Sequence, residues 1–292
     1  MLERYLDKWN TRVTVPEETK KSFRTYLGYE FEVIKKDDCF KISDPTSQEI
    51  IKSLTDHGLL CKHDGSVYAE FVSRPLQPAD CVEHLVKTAS LLSDTFPYFD
   101  SWKGGKCGLH IHINRKSIKS KKNLFRFFLT YKEVFQTLSG RTNTYYCSFG
   151  DYELERNFYN PAYASRYSAL NFKNKSTIEF RLWRGTLNPD TLAMYVKVTA
   201  MLGRLSLYLN ELSITEFLFL CDCDKSIMMK LESNIADLLT SDQISEIKQD
   251  LEHLEFEFRK RNFKRNIKNL LKLKKEKEQQ QQQQDSGQVA CF

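Results

Sequence analysis

At 292 residues the chain is long enough for one large domain or a domain with an appendage, and its 41% hydrophobic and 28% charged residues are those of an ordinary soluble globular protein. No apolar run approaches the roughly 18 residues that span a bilayer, and the opening "MLERYLDKWNTR" is too charged for a secretory signal peptide. The formal net charge of +6 is uneven: ten Lys or Arg against Glu276 and Glu278 give 259–278 a local +8, leaving −2 elsewhere, so total charge is no argument for nucleic-acid binding by the main body.

In chain order, "YLGYEFEVIK" alternates and predicts a strand over 26–35, with Tyr29, Phe31 and Val33 on one side and Glu30 and Glu32 on the other. "DGSVYAEFVS" (64–73) opens on a turn signal at Asp64-Gly65-Ser66. It then sets Val67, Ala69 and Phe71 against Glu70. Residues 80–96 predict a helix whose apolar face carries Val82, Leu85, Val86, Ala89 and Leu92. "CGLHIHINR" (107–115) predicts a strand with Leu109, Ile111 and Ile113 on one side and His110, His112 and Asn114 on the other. Ser120 is placed to cap a helix that runs through Leu124, Phe127, Phe128, Tyr131 and Phe135 to Leu138.

Residues 166–186 predict two strands around a polar turn at 173–176. In the second, Ile178, Phe180 and Leu182 oppose Glu179 and Arg181. Asn188 can cap the next helix and Pro189 suits its first turn, with apolar residues continuing to about 212. Beyond 213, apolar residues recur at helical spacing within 242–278, and six glutamines (279–284) begin a polar end too poor in apolar surface to order itself. The fold predicted is α+β: an antiparallel or mixed sheet with helices on one side, followed by a helical appendage.

Four candidate strands therefore pair an apolar face with a face of carboxylate, imidazole or guanidinium. An antiparallel sheet with one wet face alternates by default, so each strand alone has a purely structural reading. A merely wet face would draw on Lys, Thr, Ser and Gln, whereas this one is made of Glu30, Glu32, Glu70, His110, His112, Glu179 and Arg181. Acids brought so close repel unless a cation neutralises them, and oxygen-rich ligands with an imidazole suit Mg²⁺ or Mn²⁺ better than zinc. The eight cysteines, scattered except for Cys221 and Cys223, lack zinc-ligand or disulfide spacing and point to reduced thiols in a cytoplasmic setting. Cys107 beside His110 is either an acyl-accepting nucleophile or a small buried residue at a strand start. The loop from Lys103 to Lys106 could contact phosphate.

The order Gly-x-Glu-x-Glu from Gly28, Asp-Gly-Ser then Glu70, Cys-Gly-x-His-x-His from Cys107, Arg-Tyr-x-x-x-Asn from Arg166, and Thr-x-Glu-x-Arg from Thr177 followed by Gly185-Thr186 resembles the amidoligase family. That family is a branch of the glutamine synthetase and glutamate–cysteine ligase superfamily. The resemblance covers Gly28 to Thr186 and the helix after it to about 212. It implies a curved antiparallel sheet backed by helices, and a ligase that joins a carboxylate to an amine through an acyl phosphate at the expense of ATP. It further implies that Glu30, Glu32, Glu70, His110 and Glu179 hold Mg²⁺ or Mn²⁺, and that His112, Arg181, Arg184, Arg166 and Asn171 face the nucleotide. Arg181, Arg184, His112 and Glu70 would form the catalytic set. The partners implied are amino-acid, peptide or protein carboxylates and amines.

On this reading 1–212 is the catalytic domain, 213–278 a helical appendage with a basic amphipathic segment open to an anionic partner such as nucleic acid or protein, and 279–292 a disordered Gln-rich tail. Two other readings stay open. The same cluster could serve a metal-dependent hydrolase of amide or phosphate bonds. The chain could also be a non-catalytic protein that binds nucleic acid or a partner through its basic segment.

Overall fold

The computed structural model describes residues 25–35, 45–62, 67, 69–95, 99–101, 107–141, 145–214, 217–218 and 221. The Asp64-Gly65-Ser66 turn, the Lys103–Lys106 loop, the basic segment and the Gln-rich tail lie outside them. Among the described residues there are seven strands: β1 (Leu27–Lys35), β2 (Leu59–Lys62), β3 (Ala69–Ser73), β4 (Phe99–Asp100), β5 (Gly108–Asn114), β6 (Leu170–Asn171) and β7 (Thr177–Arg184). Six of them form an open antiparallel sheet in the order β2-β3-β1-β5-β7-β6, while the short β4 pairs with the end of β1. The helices are α1 (Pro45–Asp56), α2 (Pro78–Thr95), α3 (Lys121–Thr130), α4 (Lys132–Ser139), α5 (Asp151–Tyr159) and α6 (Pro189–Arg204). The mixed α+β expectation holds, and no described helix is long and apolar enough to cross a membrane.

Strand alternation explains why the sheet has one core face. Tyr29, Phe31, Val33, Ala69, Phe71, Leu109, Ile111, Ile113, Ile178 and Phe180 are all buried in one hydrophobic cluster. Helices α2 and α6 pack on that cluster. Tyr29 places its hydroxyl 2.7 Å from His84 Nδ1 and 2.9 Å from Thr88 Oγ1 of α2. Trp183 stacks on Tyr195 of α6 at 4.4 Å between ring centroids and donates its indole N–H to Thr199 Oγ1. Burying each of these aromatic side chains contributes about 2–3 kcal/mol, so the apolar face supplies much of the driving force.

Several predicted elements differ in detail. The helix expected from Ser120 to Leu138 is two helices broken at Tyr131, whose backbone leaves helical geometry at φ −112°, ψ 26°. Its start is as expected, with Ser120 Oγ accepting from Asn123 N, and α4 ends on Gly140 in the left-handed region at φ +61°. Asn188 caps α6 through Thr191 N. That helix stops at Arg204, short of 212, because Ser206 and Tyr208 turn their amides to carbonyls three residues back. There Ser206 Oγ accepts the amide of Lys119 instead. Helices α1 and α5 and strand β2 were not anticipated.

One irregularity shapes the polar face. Leu109 lies opposite Trp183, yet Ile111 lies opposite Phe180, so Arg181 and Leu182 together face His110 alone. This β-bulge re-aims the end of β7 and lets both Leu182 and Trp183 reach the core. Beneath it the buried Arg141 donates through one guanidinium nitrogen to the carbonyls of Arg181 and Trp183.

Candidate metal centre

The polar face gathers the acids and histidines from four adjacent strands. Glu32 lies across from Glu70, and Glu30 across from His110. On the other edge of β5, His112 lies across from Glu179, which faces Asn171 of β6. Such neighbours stand about 5 Å apart at Cβ, close enough for their ends to meet. His110 Nδ1 sits 3.2 Å from Glu30 Oε2 and 3.8 Å from Glu179 Oε1, and its Nε2 is 3.6 Å from Glu32 Oε1. His112 Nε2 lies 3.5 Å from Glu30 Oε1.

Two sets of three side chains bring one potential ligand atom each to within 4.8 Å of the others: Glu30, Glu70 and His110, and Glu30, His112 and Glu179. Glu30 belongs to both. Glu32 stands beside them, with Oε2 accepting the Gly108 amide at 2.5 Å. The rings carry a further sign of a ligand: His110 Nε2 and His112 Nε2 are buried without a hydrogen-bond partner. An unmatched buried polar atom costs about 1–3 kcal/mol, and a cation on an imidazole lone pair would offset it. The donor set, three carboxylates and two imidazoles, fits Mg²⁺ or Mn²⁺.

The electrostatics are those of acids forced together. Burial and the charge of Glu30 push Glu70 up to about 9. Burial works in the same direction on Glu30, but the neighbouring His112 and His110 outweigh it and hold Glu30 well below the usual carboxylate range. Glu179 is likewise lowered against its burial by His112, Arg181 and His110.

These shifts predict a pH effect. The folded chain keeps a proton on Glu70 that the unfolded chain gives up near pH 4.5, so its burial costs stability increasingly as pH rises from about 4.5 to 9. Glu70→Gln should therefore raise the metal-free melting midpoint by about 3 °C at pH 8.5 and by less at pH 5. Melts in chelator at the two pH values test this; a lowered midpoint at both would contradict the assignment.

The remaining expected residues take distinct places. Arg181 donates to Glu179 Oε1 at 2.6 Å and lies over the Tyr167 ring at 5.6 Å. Asn171 donates to Glu179 Oε2 at 2.8 Å and so orients that carboxylate. Arg166 is exposed and lies over Tyr167 at 5.0 Å. Arg184 is half-buried beside Gly140 and the Tyr195 phenol. Cys107 is buried, as are Cys61, Cys81, Cys147 and Cys221.

Two residues at the site escaped the sequence reading. Lys62 reaches the acids from β2, with Nζ 3.6 Å from Glu30 Oε1 and 3.9 Å from Glu70 Oε2. No local signal marks it: Leu59, Leu60 and Cys61 are all apolar, and their alternate burial belongs to the fold. Arg141 gives no local signal at all, because its role is defined by the bulge across from it.

No protein-family model matches the chain, and no curated protein matches it. Among solved structures it is similar to the ligase PafA in complex with the prokaryotic ubiquitin-like protein Pup, at 12% identity and a TM-score of 0.37 over 68% of this chain and 47% of that one. It is also similar to GmaS solved without ligand, at 11% identity and a TM-score of 0.40 over 83% of this chain and 71% of that one. The chain thus spans about half the length of PafA.

Proposed function

We propose that the protein is an ATP- and divalent-metal-dependent ligase that joins a carboxylate to an amine, with a glutamine-synthetase-like sheet as its scaffold. The observation that carries the reading is the convergence of Glu30, Glu70, His110, His112 and Glu179 into two ligand sets that share Glu30, with Arg181 fixed beside them. These residues belong to the ordered motifs that resemble the amidoligase family. In the reaction proposed, a substrate carboxylate oxygen attacks the γ-phosphorus of ATP, and the bond to ADP breaks to leave an acyl phosphate. The amine then attacks the acyl carbon, phosphate departs, and the amine loses a proton. A bound divalent cation would supply charge against the phosphoryl oxygens.

The chain's own groups prepare the site for this. The guanidinium of Arg181 is held by Glu179 on one edge, while its buried Nε has no partner, so it can meet charge that develops on transfer. Asn171 holds Glu179 from the other side and fixes its carboxylate plane. The buried floor of the site limits water, which protects an acyl phosphate from hydrolysis.

Trapping the intermediate tests the proposal. With Mg-ATP, a panel of amino-acid and peptide carboxylates and hydroxylamine as the amine, a hydroxamate should form together with one ADP, and only when both carboxylate and amine are present. Phosphate release with water as the sole acceptor, or amide cleavage without ATP, would instead establish the hydrolase alternative.

A further inference from the structure

Each of the two ligand sets already has a protein cation beside it, and the two cations are held very differently. At the set containing Glu179, Arg181 makes a charge-assisted hydrogen bond of 2.6 Å. At the set containing Glu70, Lys62 Nζ lies 3.6 Å from Glu30 Oε1 and 3.9 Å from Glu70 Oε2, outside hydrogen-bonding distance of either. Both oxygens belong to residues of one set, so the ammonium stands between two prospective ligands of the same ion. Lys62 ends β2, the edge strand of the sheet, and a third of its side chain is exposed. A lysine on a four-carbon stem at an edge can swing into water at little cost, whereas a planar guanidinium locked on a carboxylate cannot.

We propose that Lys62 is a tethered stand-in for the divalent ion at Glu30, Glu70 and His110: its ammonium fills the space between Glu30 and Glu70 and balances the Glu30 charge while the ion is absent, and it is expelled toward solvent when the ion binds. The assignment rests on the cation reading of the cluster. It adds a competitor for that ion which none of the family-like motifs contains. Expulsion follows from charge, because a divalent cation on Glu30 and Glu70 repels an ammonium a few ångströms away. Once outside, Lys62 stands at the rim of the site with its charge free for an anionic substrate.

Two measurements on the full chain test this. Mn²⁺ binding followed by electron paramagnetic resonance should be on the order of tenfold tighter for Lys62→Met than for wild type, because the competing charge is gone. Lys62→Arg, which keeps the charge, should not show that gain. Separately, the rate at which an amine-reactive reagent modifies Lys62, read by peptide mass spectrometry, should rise severalfold when Mg²⁺ is added. Unchanged or weaker Mn²⁺ binding in Lys62→Met would overturn the proposal, as would a labelling rate that stays the same or falls with Mg²⁺. If wild type binds no Mn²⁺ at all, the cation reading itself fails and takes this inference with it; that result is distinct from a wild type that binds while the variant does not differ.

Discussion

Glu30→Gln is expected to weaken divalent-cation binding by at least about a hundredfold, the largest effect of any single change on the polar face. The reason is topological. β1 lies between β3 and β5, so a residue on its polar side can reach ligands on both flanks, and Glu30 is the one side chain common to both sets. Gln keeps the size and one carbonyl oxygen but removes the charge that Lys62, His110 and His112 all approach. Loss of that charge also lets Glu70 ionise more readily, since Glu30 is one of the groups that hold it protonated. Folding should survive, because the core lies on the opposite face. The check is Mn²⁺ titration beside a thermal melt in chelator, with Glu32→Gln as the comparison. Glu32 stands outside both sets and accepts the Gly108 amide, so its substitution should cost less affinity. If Glu30→Gln binds Mn²⁺ as wild type does, the acids are a structural network and not a metal centre.

The second large effect concerns the frame of the site. Gly185→Ala is expected to destabilise the protein by about 4 kcal/mol or more, enough to leave little folded material. A Cβ at Gly185 would fall 1.7 Å from the carbonyl oxygen of Ser101 and 2.7 Å from its carbon, and backbone cannot step aside as a side-chain tip can. On the same residue the amide donates to Cys107 O at the entry to β5, so the strand end is pinned from both sides. Gly203→Ala makes the contrast. Its Cβ would meet Ile113 Cδ1 at 2.1 Å, but that atom is the end of a flexible side chain. Overpacking of about 1–3 kcal/mol is then partly offset by about 1 kcal/mol of helix propensity. Denaturant unfolding of the two variants should separate them by several kcal/mol; equal small losses would mean that the Ser101 segment moves freely.

The split between apolar and polar faces is legible in the residues themselves. Alternation has a period of two in any strand, so Tyr29, Phe31 and Val33 must oppose Glu30 and Glu32 wherever β1 ends up, and the same holds for Leu109, Ile111 and Ile113 against His110 and His112. Caps are equally local: Ser120 and Asn188 satisfy amides three residues on and need no distant partner. Which acids meet is another matter. Glu30 faces His110 across eighty positions of sequence through the β1–β5 pairing, and the placing of Arg181 depends on the separate β5–β7 bulge that sets Arg181 and Leu182 opposite one residue. Lys62 carries no more local signal than any lysine on an edge strand, and it becomes part of the site only because β2 pairs with β3 and sets it across from Glu70. Which side chains share a face can therefore be read along the chain, since that follows from covalent geometry. The tertiary structure alone decided which of them come within ligand distance and which cation stands among them, because those depend on pairings between segments far apart in the chain.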